Sequence, residues 1–233
     1  MKDWDINIYR GVLTGCNEAF IISTEKRNEI LSNCKDDDER IRTEALIRPI
    51  LRGRDIKRYS YNWAGLWLIN THNGVKGRIP RIDINDYPAV KEHLDKYWDM
   101  ISSRADKGDT PYNLRNCAYL EDFLQPKIVY PETTQGAYFA YDTEGLFIDK
   151  TCFMMVGESC KYIQKTLSSK LFEFAYKRIF SSVELGGSGY QYNKHALIKL
   201  PVFRNPQSQI NTDEDVYKLY GIDDEEIEFI ERK

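Results

Sequence analysis

The chain has 233 residues, of which 42% are hydrophobic and 30% are charged, and its formal net charge is −3. This composition is ordinary for a folded domain, and no apolar run approaches the ~18 residues that a membrane-spanning helix needs, which argues against a membrane protein. The N-terminus lacks the layout of a secretory signal peptide. The five cysteines form no Cys-x-x-Cys pair, which argues against a disulfide framework or a zinc site and favours a reducing, cytoplasmic location.

The first half of the chain predicts short strands and short helices. Residues 7–22 carry apolar side chains between glycines and predict one or two strands, whereas residues 25–47 have apolar positions spaced for helices. Leu66–Ile69 is a compact strand candidate. Pro88 stands near the start of a predicted helix whose apolar face runs to Ile101, with His93 expected on its surface.

The second half predicts a strand at 127–130 that is stopped by Pro131, and another at 153–156. Residues 137–141 and 146–148 predict two strands that pair across a turn at 142–145. One amphipathic helix is predicted over 160–179, a flexible loop at Gly186–Gly189 and a last strand at 197–200. Two pairs, Thr212 with Asp215 and Asp223 with Glu226, have capping-box spacing on either side of Gly221.

Together these elements predict an α+β fold with a mixed, largely antiparallel curved β-sheet, packed helices and a short C-terminal helical tail. We expect a domain over residues 1–203 and a tail over 204–233. Residues 213–233 hold nine acids and three bases, which leaves 30 bases and 27 acids in residues 1–212. Because phosphate contacts act over about a Debye length of ~10 Å, a local basic face matters more to a nucleic-acid partner than the total charge.

No arrangement of catalytic residues stands out. His72, His93 and His195 are too scattered for a metal site, Asp83, Asp86 and Glu92 are explained as helix-start acids, and the cysteines are best explained as core residues, although a Cys–His pair stays open. The Gly186–Gly189 loop lacks the pattern of a nucleotide-binding loop. We therefore expect no catalytic residue, no metal and no cofactor.

Six segments carry a family resemblance. They are Gly11–Phe20, the basic segment Arg48–Arg58, Lys127–Pro131, Lys161–Leu171, Lys194–Pro201 and Val216–Gly221. In this order they resemble the TaqI-like C-terminal specificity domain, the DNA-reading part of adenine-specific methyltransferases and type IIG restriction–modification enzymes. Within the fourth segment, Ser168 stands where the family usually has Asn.

The resemblance implies recognition of double-stranded DNA without catalysis. The doubled-proline motif with which the family's methyltransferases hold their target amine is absent, so the implied partner is a methyltransferase domain or subunit that binds S-adenosylmethionine. No such domain precedes Met1, so we expect either an excised domain or a stand-alone specificity polypeptide. The alternative is a protein-interaction module that docks a partner subunit through its aromatic surface and acidic tail.

The expected DNA contacts fall into two groups. Phosphate contacts are expected from the basic segment, and base contacts from loop side chains. The full set is Arg48, Arg52, Gly53, Arg54, Lys57, Arg58, Lys76, Arg78, Arg81, Gln135, Ser188, Tyr190, Gln191 and Tyr192. Two alternatives stay open: Arg54 and Asp55 forming an internal ion pair, and Tyr190 and Tyr192 serving only in packing. The tail, with a net charge of −6, is expected to lie away from DNA because it would repel phosphate.

Overall fold

The computed structural model of the protein describes Met1, residues 4–180 and residues 189–232. Its strands and helices in chain order are β1 (Ile6–Arg10), α1 (Asn17–Phe20), β2 (Ile21–Ser23), α2 (Thr24–Ser32), α3 (Asp37–Leu46), β3 (Ile47–Leu51), β4 (Leu66–Ile69), α4 (Pro88–Asp95), α5 (Trp98–Ser103), β5 (Lys127–Pro131), β6 (Thr133–Thr134), β7 (Ala140–Asp142), β8 (Phe147–Ile148), β9 (Cys152–Gly157), α6 (Cys160–Leu167), α7 (Lys170–Phe180), β10 (Tyr190–Gln191), α8 (Lys194–Leu197), α9 (Asp213–Tyr220) and α10 (Asp224–Glu231). Across the described part of the chain, no helix is long and apolar enough to cross a membrane.

The contacts divide the chain into two compact units, and the first comprises Met1–Gly11, Arg52–Asn62 and Gln125–Lys233. Its sheet has the order β1-β9-β5-β7, with every neighbouring pair antiparallel. β5 is buried along its whole length, so its side chains are apolar on both faces except for Lys127, which pairs with Asp142 in the core. The apolar faces of α6 and α7 contribute to the same core. The fold is thus α+β with a largely antiparallel sheet, as predicted.

The second unit comprises Val12–Leu51 and Trp63–Leu124. Here β4 pairs antiparallel with both β2 and β3, α2 and α3 pack against these strands, and α4 packs against α2. Arg104 is buried and donates hydrogen bonds to the carbonyls of Thr14, Asp106, Pro111 and Asn113, so it ties together loops that are distant in sequence. Burial lowers the pKa of this guanidinium to about 10.

Several local predictions are confirmed at the residue level. β4 has the predicted bounds, β5 starts as predicted and ends one residue later, at Pro131 itself, and Pro88 is the first residue of α4. Both capping boxes form, at Thr212 with Asp215 and at Asp223 with Glu226, and Gly221 ends α9 with a left-handed φ of 66°. These signals are local: a side chain caps backbone amides within three residues of itself.

Two predicted helices are each broken into two. The helix predicted over 160–179 ends at Leu167 and restarts at Lys170, because the Ser169 hydroxyl donates to the carbonyl of Thr166 and accepts from the Phe172 amide, which caps the new helix. The helix predicted from Pro88 to Ile101 breaks between α4 and α5, where Tyr97 leaves helical geometry.

Three further predictions are wrong. Residues 197–200 are not a strand: the Asn193 side chain accepts from the His195 amide at 2.8 Å and starts α8 instead. β7 pairs with β5 rather than with residues 146–148. His93 is buried, and its Nε2 lies 3.0 Å from the carbonyl oxygen of Ala19. The predicted loop at Gly186–Gly189 lies, apart from Gly189, outside the described residues.

Candidate functional site

The chain leaves β3 in a short 3-10 turn over Gly53–Asp55, and Arg52 closes that turn. Its Nε and Nη2 donate to the two carboxylate oxygens of Asp55 at 3.0 and 2.9 Å, and its backbone amide donates to the same carboxylate at 2.8 Å. Asp55 is buried, and its hydrogen bonds raise the pKa of Arg52. Asp55 therefore forms its internal ion pair with Arg52 and not with Arg54.

Arg58 lies at the other end of this segment and is also engaged. Its Nε donates to the carbonyl oxygen of Ser168 at 2.7 Å, and its Nη2 lies 2.7 and 2.8 Å from the two carboxylate oxygens of Asp213. Burial by itself would lower the pKa of Arg58, but the hydrogen bond to Asp213 raises it above the ordinary value. The guanidinium is thus held by an acid of α9.

Arg54 and Lys57 lie between these two arginines in the sequence, and unlike them they have no carboxylate partner among the described residues. Both are exposed, and neither forms an ion pair with any described residue. The Lys57 Nζ donates only to the carbonyl oxygen of Arg54, at 3.0 Å. The turn therefore presents two cations to solvent, where they could bind an anion without first giving up a carboxylate.

These two cations line an open groove of about 750 Å³. Its other lining residues are Arg52, Gly53, Ile56, Pro131, Glu132, Thr133, Thr134, Gln135, Tyr138, Asp149, Thr151 and Gly189. Of the two acids, Glu132 is paired with Arg10 at 2.7 Å, and Asp149 accepts from the amide of Thr151 at 2.9 Å. The exposed charge on this wall is therefore mainly positive.

Gly53 packs closely against the opposite side of the groove. Its amide donates to the Thr151 hydroxyl at 3.0 Å, and a Cβ at this position would lie 3.1 Å from that oxygen and 3.3 Å from the Cβ of Pro131. The absence of a side chain lets the turn approach the strand ends. Its amide already has a protein partner, so a role for that amide in binding phosphate stays a prediction.

A two-stranded ribbon forms next to the groove, where Thr133 pairs with Gln191 and Thr134 with Tyr190. Successive side chains in a strand point to opposite faces. Tyr190 is accordingly buried while Gln191 is exposed, and Tyr192 is buried again, with the two tyrosine hydroxyls 3.1 Å apart. This burial favours the packing alternative for both tyrosines and leaves Gln191 as the outward-facing residue.

Gln135 follows the ribbon and is also exposed. The next residue, Gly136, lies under the ring of Tyr138, since a Cβ there would come within 2.8 Å of the ring. The loop thus presents a primary amide and an aromatic ring on the same wall. Ser188, which was expected to contribute here, lies outside the described residues.

The remaining predicted contacts belong to the second unit. Lys76 and Arg78 flank Gly77 at the tip of a tight turn closed by pairing of Val75 with Ile79, and Gly77 has a φ of 76°. Lys76 is exposed, and Arg78 pairs with Glu121 at 3.0 Å.

Two further arginines of this unit differ from each other. Arg81 is exposed and pairs with Asp109 at 3.4 Å; exposed pairs of this kind contribute only about 0–1 kcal/mol, so such cations exchange partners cheaply. Arg48 lies half-buried in β3, and its buried Nε has no hydrogen-bond partner among the described residues.

Sequence reasoning missed several groove residues, namely Thr133, Tyr138, Asp149 and Thr151. None belongs to a charged cluster, and only their position after strands β5 and β8 brings them to the groove. Among the described residues, no cluster of three or more His, Cys, Asp or Glu side chains could hold a metal ion. Burial raises the pKa values of Cys117 and Cys160 to about 11, as expected for packed thiols.

Comparison with known proteins gives a family and a similar fold. Residues 48–202 match the family described as the TaqI-like C-terminal specificity domain, a specificity domain rather than a catalytic one. The fold is similar to that of the type IIL restriction-modification enzyme MmeI, whose structure was determined in complex with DNA. The TM-score is 0.61 at 13% sequence identity, and the match covers 99% of this chain and 35% of that one, so the chain spans about a third of that enzyme.

Proposed function

The chain belongs to the TaqI-like C-terminal specificity domain family, and on that premise we propose that it recognises a target sequence in duplex DNA for a restriction–modification adenine methyltransferase system. The observation that carries the proposal is the pair of exposed cations, Arg54 and Lys57, which have no carboxylate partner among the described residues and stand on the wall of an open groove.

Phosphate binding is assigned to the cations that solvent can reach. Arg54 can present its guanidinium fork to phosphate oxygens, and Lys57 can act as a point charge. Lys76, Arg78 and Arg81 of the second unit are proposed to do the same. The exposed ion pairs of Arg78 and Arg81 cost little to exchange for phosphate, because each such pair contributes about 0–1 kcal/mol.

Base recognition is assigned to the polar side chains of the ribbon and its loop. Gln135 and Gln191 are exposed, and a glutamine amide can pair with the two major-groove hydrogen-bonding atoms of adenine. Tyr190 and Tyr192 support these residues from the core and are not proposed to contact bases themselves. Phosphate contacts would then set the position of the chain on DNA, and these amides would select the sequence.

The proposal is tested by titrating the chain with a random-sequence duplex over a series of salt concentrations. Each contacted phosphate contributes about −0.9 to the slope of log affinity against log salt. We expect a clearly negative slope with weak affinity. Absence of binding at low salt, or affinity that does not depend on salt, would overturn the proposal.

Catalysis is assigned to a partner. We propose that methyl transfer and the binding of S-adenosylmethionine belong to a methyltransferase domain or subunit, and that residues 204–233 form an acidic tail outside the DNA surface. Incubation of this chain with S-adenosylmethionine and duplex DNA should give no methylated or cleaved product. Turnover by the chain alone would contradict the assignment.

A second candidate function, docking of a partner subunit, is favoured by one feature of the tail. An apolar hollow of about 370 Å³ lies between α7 and α10, and its lining includes Leu171, Phe174 and Phe229 together with Glu225 and Glu226. A chain that acts only by protein docking would show no salt-dependent DNA binding, so the same titration separates the two functions.

A further inference from the structure

The segment that carries Arg54 and Lys57 is held at each end by an ion pair. One carboxylate belongs to the turn itself, and the other belongs to α9 of the first unit. At one end Arg52 forms an ion pair with the buried Asp55, and at the other end Arg58 forms an ion pair with Asp213. Asp213 is distant in sequence and is the first residue of α9. The free cations therefore lie between two fixed arginines.

Asp213 is itself firmly placed. One of its carboxylate oxygens also accepts from the backbone amide of Lys170, at 2.8 Å, at the start of α7. Its side chain is only 14% exposed. The helix that follows is capped by the Thr212–Asp215 box and anchored by Val216 and Tyr217, both of which are almost completely buried.

Arg58 uses two of its three guanidinium nitrogens in this contact. Its Nε takes the carbonyl of Ser168, which the break between α6 and α7 leaves available, and its Nη2 takes the carboxylate of Asp213. The neighbouring backbone is tied down as well, since the Tyr59 amide donates to the Phe139 carbonyl at 3.1 Å and the Lys57 amide to the Ser60 carbonyl at 2.8 Å. A phosphate could bind Nε or Nη2 of Arg58 only by breaking these contacts.

We propose that Arg58 is a positioning residue and that Asp213, at the start of the acidic tail, fixes the DNA-contacting turn through it. This inference rests on the proposed function and changes the role of two elements. Arg58 leaves the set of direct phosphate contacts. The tail, although acidic, contributes to DNA affinity by holding Arg54 and Lys57 in place.

The expected size of the effect follows from pre-organisation. When only a fraction of molecules has the binding-competent turn, the apparent dissociation constant rises by the inverse of that fraction. Charge-assisted hydrogen bonds are among the stronger ones in proteins, so losing this pair can lower that fraction substantially. We expect a loss of affinity of roughly tenfold, equal for all sequences, because a change of one order of magnitude corresponds to about 1.4 kcal/mol.

The test compares Asp213→Asn with Asp224→Asn as a matched control. Asp224 is an exposed acid of α10, so its replacement removes the same charge from the tail without touching Arg58. Asp213→Asn should weaken DNA binding roughly tenfold with an unchanged salt slope, whereas Asp224→Asn should leave binding unchanged or slightly tighter. Arg58→Ala should match Asp213→Asn, and the double variant should be no weaker than either single one.

A direct phosphate contact by Arg58 predicts the reverse and would overturn the proposal. In that case Asp213→Asn frees the guanidinium and tightens binding, while Arg58→Ala flattens the salt slope by about 0.9. If Asp213→Asn fails to fold, Arg58→Lys decides the matter, because lysine keeps the charge but not the fork. In the DNA-free chain, faster exchange of the Lys57 and Tyr59 amides in Arg58→Lys than in the wild type supports positioning, and unchanged exchange refutes it.

Hydrogen exchange on the DNA-free chain keeps this proposal separate from the proposed function. The amides of Lys57 and Tyr59 should exchange faster in Asp213→Asn than in Asp224→Asn. Equal exchange would refute the positioning role even if DNA binds. If exchange is faster in Asp213→Asn but the chain binds no DNA, the positioning of the turn by Asp213 and Arg58 stands and the proposed function is rejected.

Discussion

Replacing Arg54 and Lys57 together by alanine should remove two phosphate contacts while leaving the fold intact. Both side chains are exposed and have no carboxylate partner among the described residues, so their loss should change the free energy of unfolding by less than about 0.5 kcal/mol. Each phosphate contact contributes about 0.9 to the slope of log affinity against log salt, so the double variant should be flatter by about 1.8. Between about 50 and 200 mM salt, its affinity should then fall about tenfold less than that of the wild type.

The assay is fluorescence anisotropy with two unrelated duplexes at four salt concentrations. Lys218→Ala is the matched control, because Lys218 is an exposed cation of α9 that lies outside the groove lining. Both duplexes should lose affinity equally in the double variant. A changed preference between the duplexes at an unchanged salt slope would show that these residues read bases, and that the assignment of positioning and reading is reversed.

The remaining predictions concern stability, sequence preference and pH. Arg52→Ala leaves the buried Asp55 carboxylate without its guanidinium and should lower the free energy of unfolding by about 2 kcal/mol in urea titrations, with little change in salt slope; a stable variant with a flattened slope would contradict this. Gln135→Ala and Gln191→Ala should each shift the preferred sequence by about 1–3 kcal/mol in selection from a random duplex library, and a uniform loss of affinity would refute a reading role. Burial lowers the pKa of His93 below its ordinary value of 6.5, so near that pH the unfolded chain binds more protons than the folded chain. The free energy of unfolding should therefore fall as the pH is lowered through about 6.5. His93→Gln should reduce this pH dependence, and an unchanged pH profile would contradict the assignment.

Local signals in the sequence were sufficient for much of the fold. The capping boxes at Thr212 and Asp223 and the strand stopped at Pro131 depend on residues within a few positions of one another, and all three form as predicted. The helix over 160–179 is a local prediction too, but the Ser169 side chain competes for nearby backbone groups and breaks it. The alternation of Tyr190, Gln191 and Tyr192 carried the information that only the middle residue faces outward.

The partner of each cation could not be read from the sequence. Arg52 and Arg54 are both close to Asp55 in the chain, and only the geometry of the 3-10 turn selects Arg52. The contact between Arg58 and Asp213 joins residues 155 positions apart, a separation at which charge pattern gives no pairing information. The burial of His93 has the same origin, since its partner is the carbonyl of Ala19 on another helix.

The distribution of partners explains how a chain with a net charge of −3 can present a cationic surface. Like charges in one short segment repel one another, and this repulsion would destabilise the turn if nothing else held its backbone. Here the carboxylates of Asp55 and Asp213 neutralise the two end arginines and hold the backbone between them, so only Arg54 and Lys57 of this turn remain to face solvent. If this segment contacts DNA as proposed, acids near it are not simply unfavourable: placed at its ends and turned inward, they would fix the geometry in which the remaining cations meet successive phosphates. Because screening limits their repulsion of phosphate to a Debye length of ~10 Å, and each acid is already paired, we expect their cost to DNA affinity to be smaller than the benefit of a rigid turn.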